Sequence, residues 1–246
     1  MTQAFGIDIS KYNTSQDGSK KPDFDKVKQT CSFVAVRSGI SWGYADPWFA
    51  YSWENLKGTN RLAYHVLYPG EQPASQMDNL FKIVGDADWE HDRLVLDVEL
   101  DHSQPKAQIT YTTAQCMKLC KARTGMYPII YSRAGWVNEH MNVGDMPVAD
   151  WWLAQYLFAR PYPLYTPEKK SPPLLPNGVT TWLIHQTAEK YSGASVGVAS
   201  HYVDSNRWNG DLMTMLEYFN RDVVVPTEPS DAEKLARLWA IHPEVH

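Results

Sequence analysis

Apolar runs of strand length alternate with helix-forming segments over the first 140 residues of the chain. The runs are rich in β-branched and aromatic residues, which favour strands, and they lie at 5–10, 33–39, 62–68, 94–100 and 127–132. Helices are predicted near 25–29 and at 46–57, 74–85 and 108–124. In the second of these, Asp46 is expected to cap the helix, with Pro47 in the first turn and Gly58 at the end. Strands that alternate with helices imply right-handed crossovers and a parallel sheet.

The pattern changes after about residue 140. Three further strands are predicted at 151–156, 181–187 and 200–203, with loops between them. Residues 161–176 contain six prolines and cannot form a helix, so an extended surface loop is expected there. Five strand-helix units followed by three strands predict an α/β fold, an incomplete TIM-like (β/α)5(β)3 barrel that lacks helices on one side.

The last 24 residues differ from the barrel. Residues 1–222 are assigned to the barrel, 223–230 to a linker and 231–241 to a short helix with Leu235, Leu238 and Trp239 on one face. A helix this short is marginal on its own. It is therefore expected either to dock on the barrel, which we favour, or to contact a partner, including a second copy of the chain.

Composition narrows the class of protein. A chain of 246 residues is about the length of one α/β barrel. The formal charge of -5 and the pI near 5.9 argue against a nucleic-acid partner, and no apolar run is long enough to predict a membrane span. Ten Trp and fourteen Tyr suit the recognition of sugars, whose apolar faces stack on aromatic rings, although many of these residues belong to the core of a large domain.

Cysteine and histidine usage predicts no metal and no cofactor. The three cysteines form no C-x-x-C pair, and Cys116 and Cys120, one helical turn apart, are expected to be reduced and buried. The eight histidines show no metal-ligand spacing. The first residues run into a strand without the features of a signal peptide. The protein is thus expected to stay in the cytoplasm until the cell opens, or to be secreted if a leader has been removed.

The fourth apolar run carries two carboxylates, Asp97 and Glu99, among aliphatic residues. Side chains two apart in a strand point the same way, so the two acids share a face. Two acids in a low dielectric cannot both ionise freely, which raises the pKa of one and leaves the other charged. Such a pair suits acid-assisted cleavage of a glycoside. For an isolated D-x-E motif, the simpler interpretation is a solvated acidic pair at an edge strand or a strand end.

Two further acids lie at or near predicted strand ends. Asp8 lies between two isoleucines and faces the opposite side of the first strand, which indicates a polar pocket. Asp204 follows the last predicted strand. Chemistry in such barrels takes place at the carboxyl ends of the strands. We therefore expect Asp8, Asp97, Glu99 and Asp204 to meet at one end of the barrel.

Short segments spread over residues 4 to about 216 resemble the glycoside hydrolase family 25 lysozymes, the Chalaropsis-type N-acetylmuramidases found among phage endolysins. In chain order they are GIDIS (6–10), DPWF (46–49), AYH (63–65), LDVE (96–99), YS (131–132), WLAQY (152–156) and VDSNRWNG (203–210). Each segment is short, but their order and spacing together are specific. The flattened barrel of this family, with five β/α units and three further strands, agrees with the fold predicted above.

The resemblance implies a role for each acid in cleaving the β-1,4 bond from N-acetylmuramic acid to N-acetylglucosamine in bacterial peptidoglycan. Glu99 would protonate the glycosidic oxygen and then activate water. Asp97 would orient the 2-acetamido group as it attacks the anomeric carbon, or would itself be the nucleophile, and both routes retain the anomeric configuration. Asp8 and Asp204 would hold the sugar and tune Glu99.

The resemblance also implies contacts between the substrate and four polar side chains, Tyr64, Tyr131, Gln155 and Gln186. The alternative for each is an inward barrel residue whose polar group is satisfied by its neighbours. The chain departs from the family pattern at Asn13, where many relatives carry Gln, and at 37–41, where RSGIS replaces the common KATEG. These departures leave the four acids intact and bear on substrate preference.

Two other functions fit the same residues. One is an inactive module that binds cell-wall glycans in a virion or secretion apparatus, with the C-terminal helix as its docking element. The other is a chitinase-like enzyme that uses the D-x-E pair on chitin oligosaccharides. Binding to wall fragments without cleavage would identify the first, and a preference for chitin would identify the second.

Overall fold

Nine strands form one sheet in a computed structural model that describes residues 3–14, 19–156 and 171–221. The strands are β1 (Gln3–Ile9), β2 (Phe33–Ile40), β3 (Tyr44–Ala45), β4 (Arg61–Val66), β5 (Arg93–Asp97), β6 (Ile129–Ser132), β7 (Trp151–Ala154), β8 (Ile184–Ser192) and β9 (Tyr202–Asp211). The helices are α1 (Phe24–Thr30), α2 (Phe49–Asn55), α3 (Pro73–Val84), α4 (Lys106–Thr124), α5 (Ala134–His140) and α6 (Leu212–Tyr218).

Pairing between β1 and β2 closes eight of the strands into a barrel, and the two-residue β3 forms a hairpin with β2 outside it. The strand order is β1-β9-β8-β7-β6-β5-β4-β2-β3, and β9 runs antiparallel to both β1 and β8. Helices α1 to α5 follow five successive barrel strands, whereas no α-helix separates β7, β8 and β9 within the described residues. The predicted (β/α)5(β)3 barrel is confirmed.

Strand alternation divides the apolar core into two parts. Residues such as Ile7, Leu94 and Leu96 face the helices, whereas Leu62 and Val95 face the barrel interior. Helix α6 packs against the interior cluster near the start of the strands through the buried side chain of Met215, and Phe219, the residue after the helix, is buried in the same cluster. Inward and outward positions alternate along each strand. The residues next to the outward apolar ones therefore point into the barrel, where polar side chains can lie.

Several predicted boundaries were wrong. The fourth barrel strand ends at Asp97, so Glu99 lies in the segment after the strand and not inside it. Asp46 does not cap α2, whose N-cap is Trp48. The Asp46 carboxylate instead accepts hydrogen bonds from the Trp48 N–H at 3.0 Å and from Arg37 Nε at 2.9 Å. The side chain thereby joins β2 to the start of α2 and is not placed on the first turn of the helix.

Three short elements were not predicted: the hairpin strand β3, helix α5 and helix α6. Each has no more than seven residues, too few for a clear periodic pattern. The sequence did contain a start signal for α6, because Asp is a residue type that favours the N-cap position. In the structure the Asp211 carboxylate accepts a hydrogen bond from the Thr214 N–H at 3.0 Å. The predicted linker and helix at 223–241, and most of the Pro-rich loop, lie outside the described residues. No helix in the described ranges is both long and apolar enough to cross a membrane.

A buried ion pair joins the start of β4 to the turn before β5, and its loss is predicted to destabilise the barrel. Arg61 Nε and Nη2 each donate to a different oxygen of the Asp92 carboxylate, at 2.8 Å in both cases. Replacing Asp92 with Ala leaves a buried guanidinium without its counter-ion. We expect the free energy of unfolding to fall by about 3–5 kcal/mol in urea titrations.

The matched control for this change is Asp78→Ala, which removes an exposed ion pair with Arg123. Exposed pairs contribute little because water and salt screen them. The free energy of unfolding of the Asp78 variant should thus stay near that of the wild type. Equal stabilities for the two variants would contradict the role given to the buried pair.

Candidate active site

Four carboxyl groups from three parts of the sequence line one cleft at the carboxyl ends of the parallel strands. The cleft has a volume of about 240 Å³. Its lining residues are Asp8, Ser10, Tyr12, Arg37, Tyr64, Val66, Asp97, Glu99, Tyr131, Trp152, Gln186 and Asp204. All four acids predicted from the sequence therefore meet, as do three of the four polar side chains predicted to contact substrate.

Asp8 and Asp204 form a pair across the antiparallel ladder of β1 and β9, where they are register partners. Asp8 Oδ2 accepts hydrogen bonds from Asn206 Nδ2 at 2.8 Å and from Gln186 Nε2 at 3.0 Å. Burial, the charge of Asp8 and a hydrogen bond to Asp8 raise the pKa of Asp204 to about 9. Burial also raises the pKa of Asp8, so the two carboxyl groups share a proton as a pair.

Asp97 is buried more deeply than Glu99, with 7% of its surface exposed. Burial raises its pKa well above the usual range, and the charges of Glu99 and Asp8 raise it further, whereas Arg37 and Arg133 lower it. Its Oδ1 atom is buried and accepts no hydrogen bond from the described protein groups. A buried carboxylate oxygen without a donor is costly, so this atom suits a donor that arrives with a ligand.

Glu99 is more accessible, with 32% of its side chain exposed. Burial raises its pKa, Arg133 lowers it and Asp8 raises it. The Arg133 guanidinium lies 3.7 Å from Glu99 Oε2 and is itself more than half exposed. The cleft therefore holds one partly exposed carboxylic acid and one buried carboxyl beneath it, a combination able to donate a proton and to stabilise positive charge.

Gln186 fixes the polar contacts on the opposite wall of the cleft. Its Oε1 accepts hydrogen bonds from the hydroxyls of Tyr131 at 2.8 Å and Tyr156 at 3.3 Å, while its Nε2 donates toward Asp8 and Asp204. Burial, as the largest cause, raises the pKa of Tyr131 well above its usual value, so the hydroxyl remains a donor at neutral pH. This chain of contacts orients the amide between the acids and the tyrosines.

Gln155 was predicted to contact substrate, but the structure does not bring its side chain to the cleft. Its Oε1 accepts a hydrogen bond from the Leu174 N–H at 2.6 Å, and its backbone carbonyl lies 2.8 Å from His185 Nε2. Alternation along β7 explains this placement, because Trp152 and Ala154 face the barrel interior and the next residue faces the other side. Gln155 supports a loop and does not line the cleft.

Three neighbours of the acids were not singled out from the sequence: Arg37 and Trp152, which line the cleft, and Asn206, which donates to Asp8. Asn206 lies two residues after Asp204, and its position on the same face of the strand was a usable signal. Arg37 Nη2 lies 2.8 Å from the buried Asp46 carboxylate, which offsets its charge. The pairing joins residues nine positions apart that no local pattern connects.

A group of metal-ligand side chains occurs outside the cleft. Ligand atoms of Asp88, Glu90 and His91 lie within 4.8 Å of one another, and the two acids are exposed. The Asp88 carboxylate lies 2.7 Å from His91 Nδ1, which explains the grouping as a surface side-chain hydrogen bond. The expectation that the protein uses no metal and no cofactor stays a prediction.

Comparison with known proteins identifies a family and a relative. The model of the glycosyl hydrolases family 25 matches residues 7–196. The uncharacterised protein YegX of Escherichia coli O6:H1 is 30% identical over 161 residues, which are 63% of this chain. The aligned region spans 57% of the length of YegX.

Solved structures share the barrel at lower identity. A bacterial lysozyme from Streptomyces coelicolor superposes with a TM-score of 0.74 at 23% identity, over 89% of this chain and 98% of that one. A family GH25 lysozyme from Aspergillus fumigatus superposes with a TM-score of 0.70 at 22% identity, over 90% of this chain and all of that one. These similarities establish a common fold.

Proposed function

Since the chain belongs to glycosyl hydrolase family 25, we propose that it hydrolyses the glycan strands of bacterial peptidoglycan, at the β-1,4 bond from N-acetylmuramic acid to N-acetylglucosamine. The observation that carries this proposal is the meeting of Asp8, Asp97, Glu99 and Asp204 in one cleft. The raised pKa of the partly exposed Glu99 suits the acid that glycoside hydrolysis needs, and the buried Asp97 beside it is placed to stabilise charge.

Glu99 is proposed as the acid that protonates the glycosidic oxygen and then as the base that activates water. Its partial exposure supports this role, because the leaving group and the incoming water both approach from the open side of the cleft. The raised pKa keeps a fraction of the side chain protonated nearer to neutral pH. An acid with an ordinary pKa would be almost fully ionised there.

Asp97 is proposed to accept a hydrogen bond from the 2-acetamido N–H of N-acetylmuramic acid and so to turn the acetamido oxygen toward the anomeric carbon. The free, buried Oδ1 atom supports this role, because a substrate N–H would satisfy it. The positive charge that develops on the ring formed by the acetamido group also favours an ionised Asp97. Attack by the acetamido oxygen and then by water retains the anomeric configuration.

Asp8, Asp204 and Gln186 are proposed to hold the sugar ring and to maintain the charge state of the cleft. Their shared proton lowers the net charge next to the D-x-E pair. Tyr64 and Tyr131 complete the proposed contacts, since both line the cleft and both pack edge-on against Trp152. Tyrosine hydroxyls on apolar rings match sugars, which present hydroxyls around apolar faces.

The direct test uses purified full-length protein and bacterial cell walls of several chemotypes. Hydrolysis should release soluble fragments with new reducing ends, measured by a colorimetric assay for reducing sugars. Wild-type protein that is folded but inert on every wall would contradict the proposal. Binding to the walls without release of fragments would favour a glycan-binding module instead.

Replacing Arg133 with Gln is predicted to shift the pH profile of hydrolysis. Arg133 lowers the pKa of both Glu99 and Asp97, so its loss raises both. Activity needs a protonated Glu99 and an ionised Asp97. Because both pKa values rise, both limbs of the pH profile should move to higher pH, and each limb belongs to the coupled pair and not to one carboxyl. The measurement is kcat/KM against pH, with Arg133→Lys as the control that keeps the charge and should stay near the wild-type profile. An unchanged profile for Arg133→Gln would show that this cation does not act on the pair.

A further inference from the structure

The turn between β2 and β3 carries an exposed indole at the carboxyl end of the barrel, the end at which the cleft lies. Trp42 is 59% exposed and lies two residues after the end of β2, at the carboxyl end of the barrel. Single exposed aromatic residues are common and need no special explanation. Trp42 differs from such residues because several hydrogen bonds and a close backbone contact fix the turn that carries it.

Ser41 is held in a left-handed conformation by buried partners. Its φ is +51°, which is uncommon for a residue other than glycine, and the residue is buried. Its N–H donates to the Val66 carbonyl at 2.8 Å. Its carbonyl accepts hydrogen bonds from Asn79 Nδ2 at 2.9 Å and from His65 Nε2 at 2.8 Å. Strained backbone of this kind persists where surrounding contacts determine it, often at ligand sites.

The histidine in this network is a fixed donor. Burial, as the dominant effect, lowers the pKa of His65 to about 4, so the ring is neutral at neutral pH. Since Nε2 must carry the proton to donate to the Ser41 carbonyl, Nδ1 is free to accept, and it lies 3.0 Å from the Ser38 hydroxyl. The His65 side chain thereby holds the carbonyl of Ser41, the residue before Trp42, in a fixed position.

Glycine at position 39 allows the two sides of the hairpin to approach closely. A Cβ atom at this position would lie 2.2 Å from the Tyr44 carbonyl oxygen, a distance that backbone atoms cannot accommodate. Gly39 thus permits a hairpin tighter than any other residue allows. Together with the Ser41 contacts, this closeness fixes the base of the turn on both sides.

The turn is continuous with the cleft wall. Val66, which receives the Ser41 hydrogen bond, lines the cleft, and so does Tyr12, which is 70% exposed. Lys11 Nζ lies 5.1 Å from the centre of the Tyr12 ring and 5.4 Å from that of Tyr44, and it joins the loop after β1 to the hairpin. Two accessible aromatic rings therefore lie at this end of the barrel: Tyr12 in the cleft lining, and Trp42 on the turn whose residue Ser41 binds the cleft residue Val66.

We infer that Trp42 forms an additional glycan subsite, at which its indole stacks on the apolar face of a sugar ring beyond the rings held above the four acids. This inference rests on the proposed function and extends it to a preference for long glycan strands. A rigid aromatic surface that adjoins a sugar cleft binds a pyranose at little cost in conformational entropy.

The test compares Trp42→Ala with wild type in the full chain on two substrates. On long peptidoglycan strands, KM should rise about tenfold with kcat unchanged, as expected for the loss of one stacked ring. On a short oligosaccharide that fills the cleft alone, both constants should stay the same. Trp42→Phe should recover part of the loss. Tyr111→Ala is the matched control, because Tyr111 is 56% exposed on α4 and should have no effect on either substrate.

Two results would overturn the inference. One is an unchanged KM for the Trp42→Ala variant on long strands, and the other is an equal loss on both substrates together with a lower melting temperature. Failure of the proposed function is distinguishable, because the wild type would then cleave neither substrate. In that event, direct titration with long glycan strands decides the inference: about tenfold weaker binding by Trp42→Ala supports it, and equal binding by the two proteins contradicts it.

Discussion

Replacing Glu99 with Gln is expected to lower kcat for peptidoglycan hydrolysis by about 10³-fold. Glutamine keeps the size of the side chain but cannot donate a proton to the leaving oxygen or accept one from water. The fold should persist, because the side chain is partly exposed and its ion pair with Arg133 spans 3.7 Å. The measurement is the initial rate of reducing-end release, with the melting temperature recorded on the same preparation.

Glu139→Gln provides the matched control for this change. Glu139 lies on α5, and its side chain is 77% exposed. Its loss should leave both the rate and the melting temperature at the wild-type level. A Glu99→Gln variant that keeps more than about a tenth of wild-type activity would remove Glu99 from the role of general acid.

Replacing Asp97 with Asn should lower activity and raise stability at the same time. The amide cannot supply negative charge to the acetamido-derived intermediate, so kcat should fall by about 10²- to 10³-fold. The stability effect follows from burial, which raises the pKa of Asp97 far above its unfolded value of about 3.9. Between these two pKa values the unfolded chain releases a proton that the folded chain retains, and the folded state loses stability as pH rises.

Thermal unfolding at two pH values separates this effect from a general change in packing. At pH 7 the Asp97→Asn variant should melt at a higher temperature than the wild type. Near pH 4 and below, where Asp97 is protonated in the folded protein and increasingly so in the unfolded chain, the difference should shrink toward zero. A variant that is less stable than the wild type at pH 7, or a difference that does not depend on pH, would contradict the pKa direction assigned to Asp97.

Much of the barrel follows from local patterns, because strand alternation and helix signals are properties of neighbouring residues. Alternation alone places Asp8 opposite Ile7 and Ile9, and the structure puts it inside the barrel. The same rule, applied to β7, excludes Gln155 from the interior. Family resemblance alone, from which the substrate contact of Gln155 was predicted, does not contain this information about the direction of the side chain.

Other features depend on contacts that no local pattern contains. Asp46 has the residue type and the sequence position of a helix N-cap. Its carboxylate instead accepts hydrogen bonds from Arg37 Nε and from the Lys11 N–H, the latter at 3.1 Å. The positive φ of Ser41 is imposed by His65 and Asn79, which lie 24 and 38 residues further along the chain. Such positions are fixed by tertiary packing, which overrides local preference.

We propose that the four acids cleave the bond on the reducing side of N-acetylmuramic acid. Mass spectrometry of the muropeptides released from a wall of known composition tests it most directly, because the sugar at each new reducing end identifies the bond that was cut. The products should end in N-acetylmuramic acid. Products that end in N-acetylglucosamine, or a preference for chitin oligosaccharides over peptidoglycan, would contradict the claim.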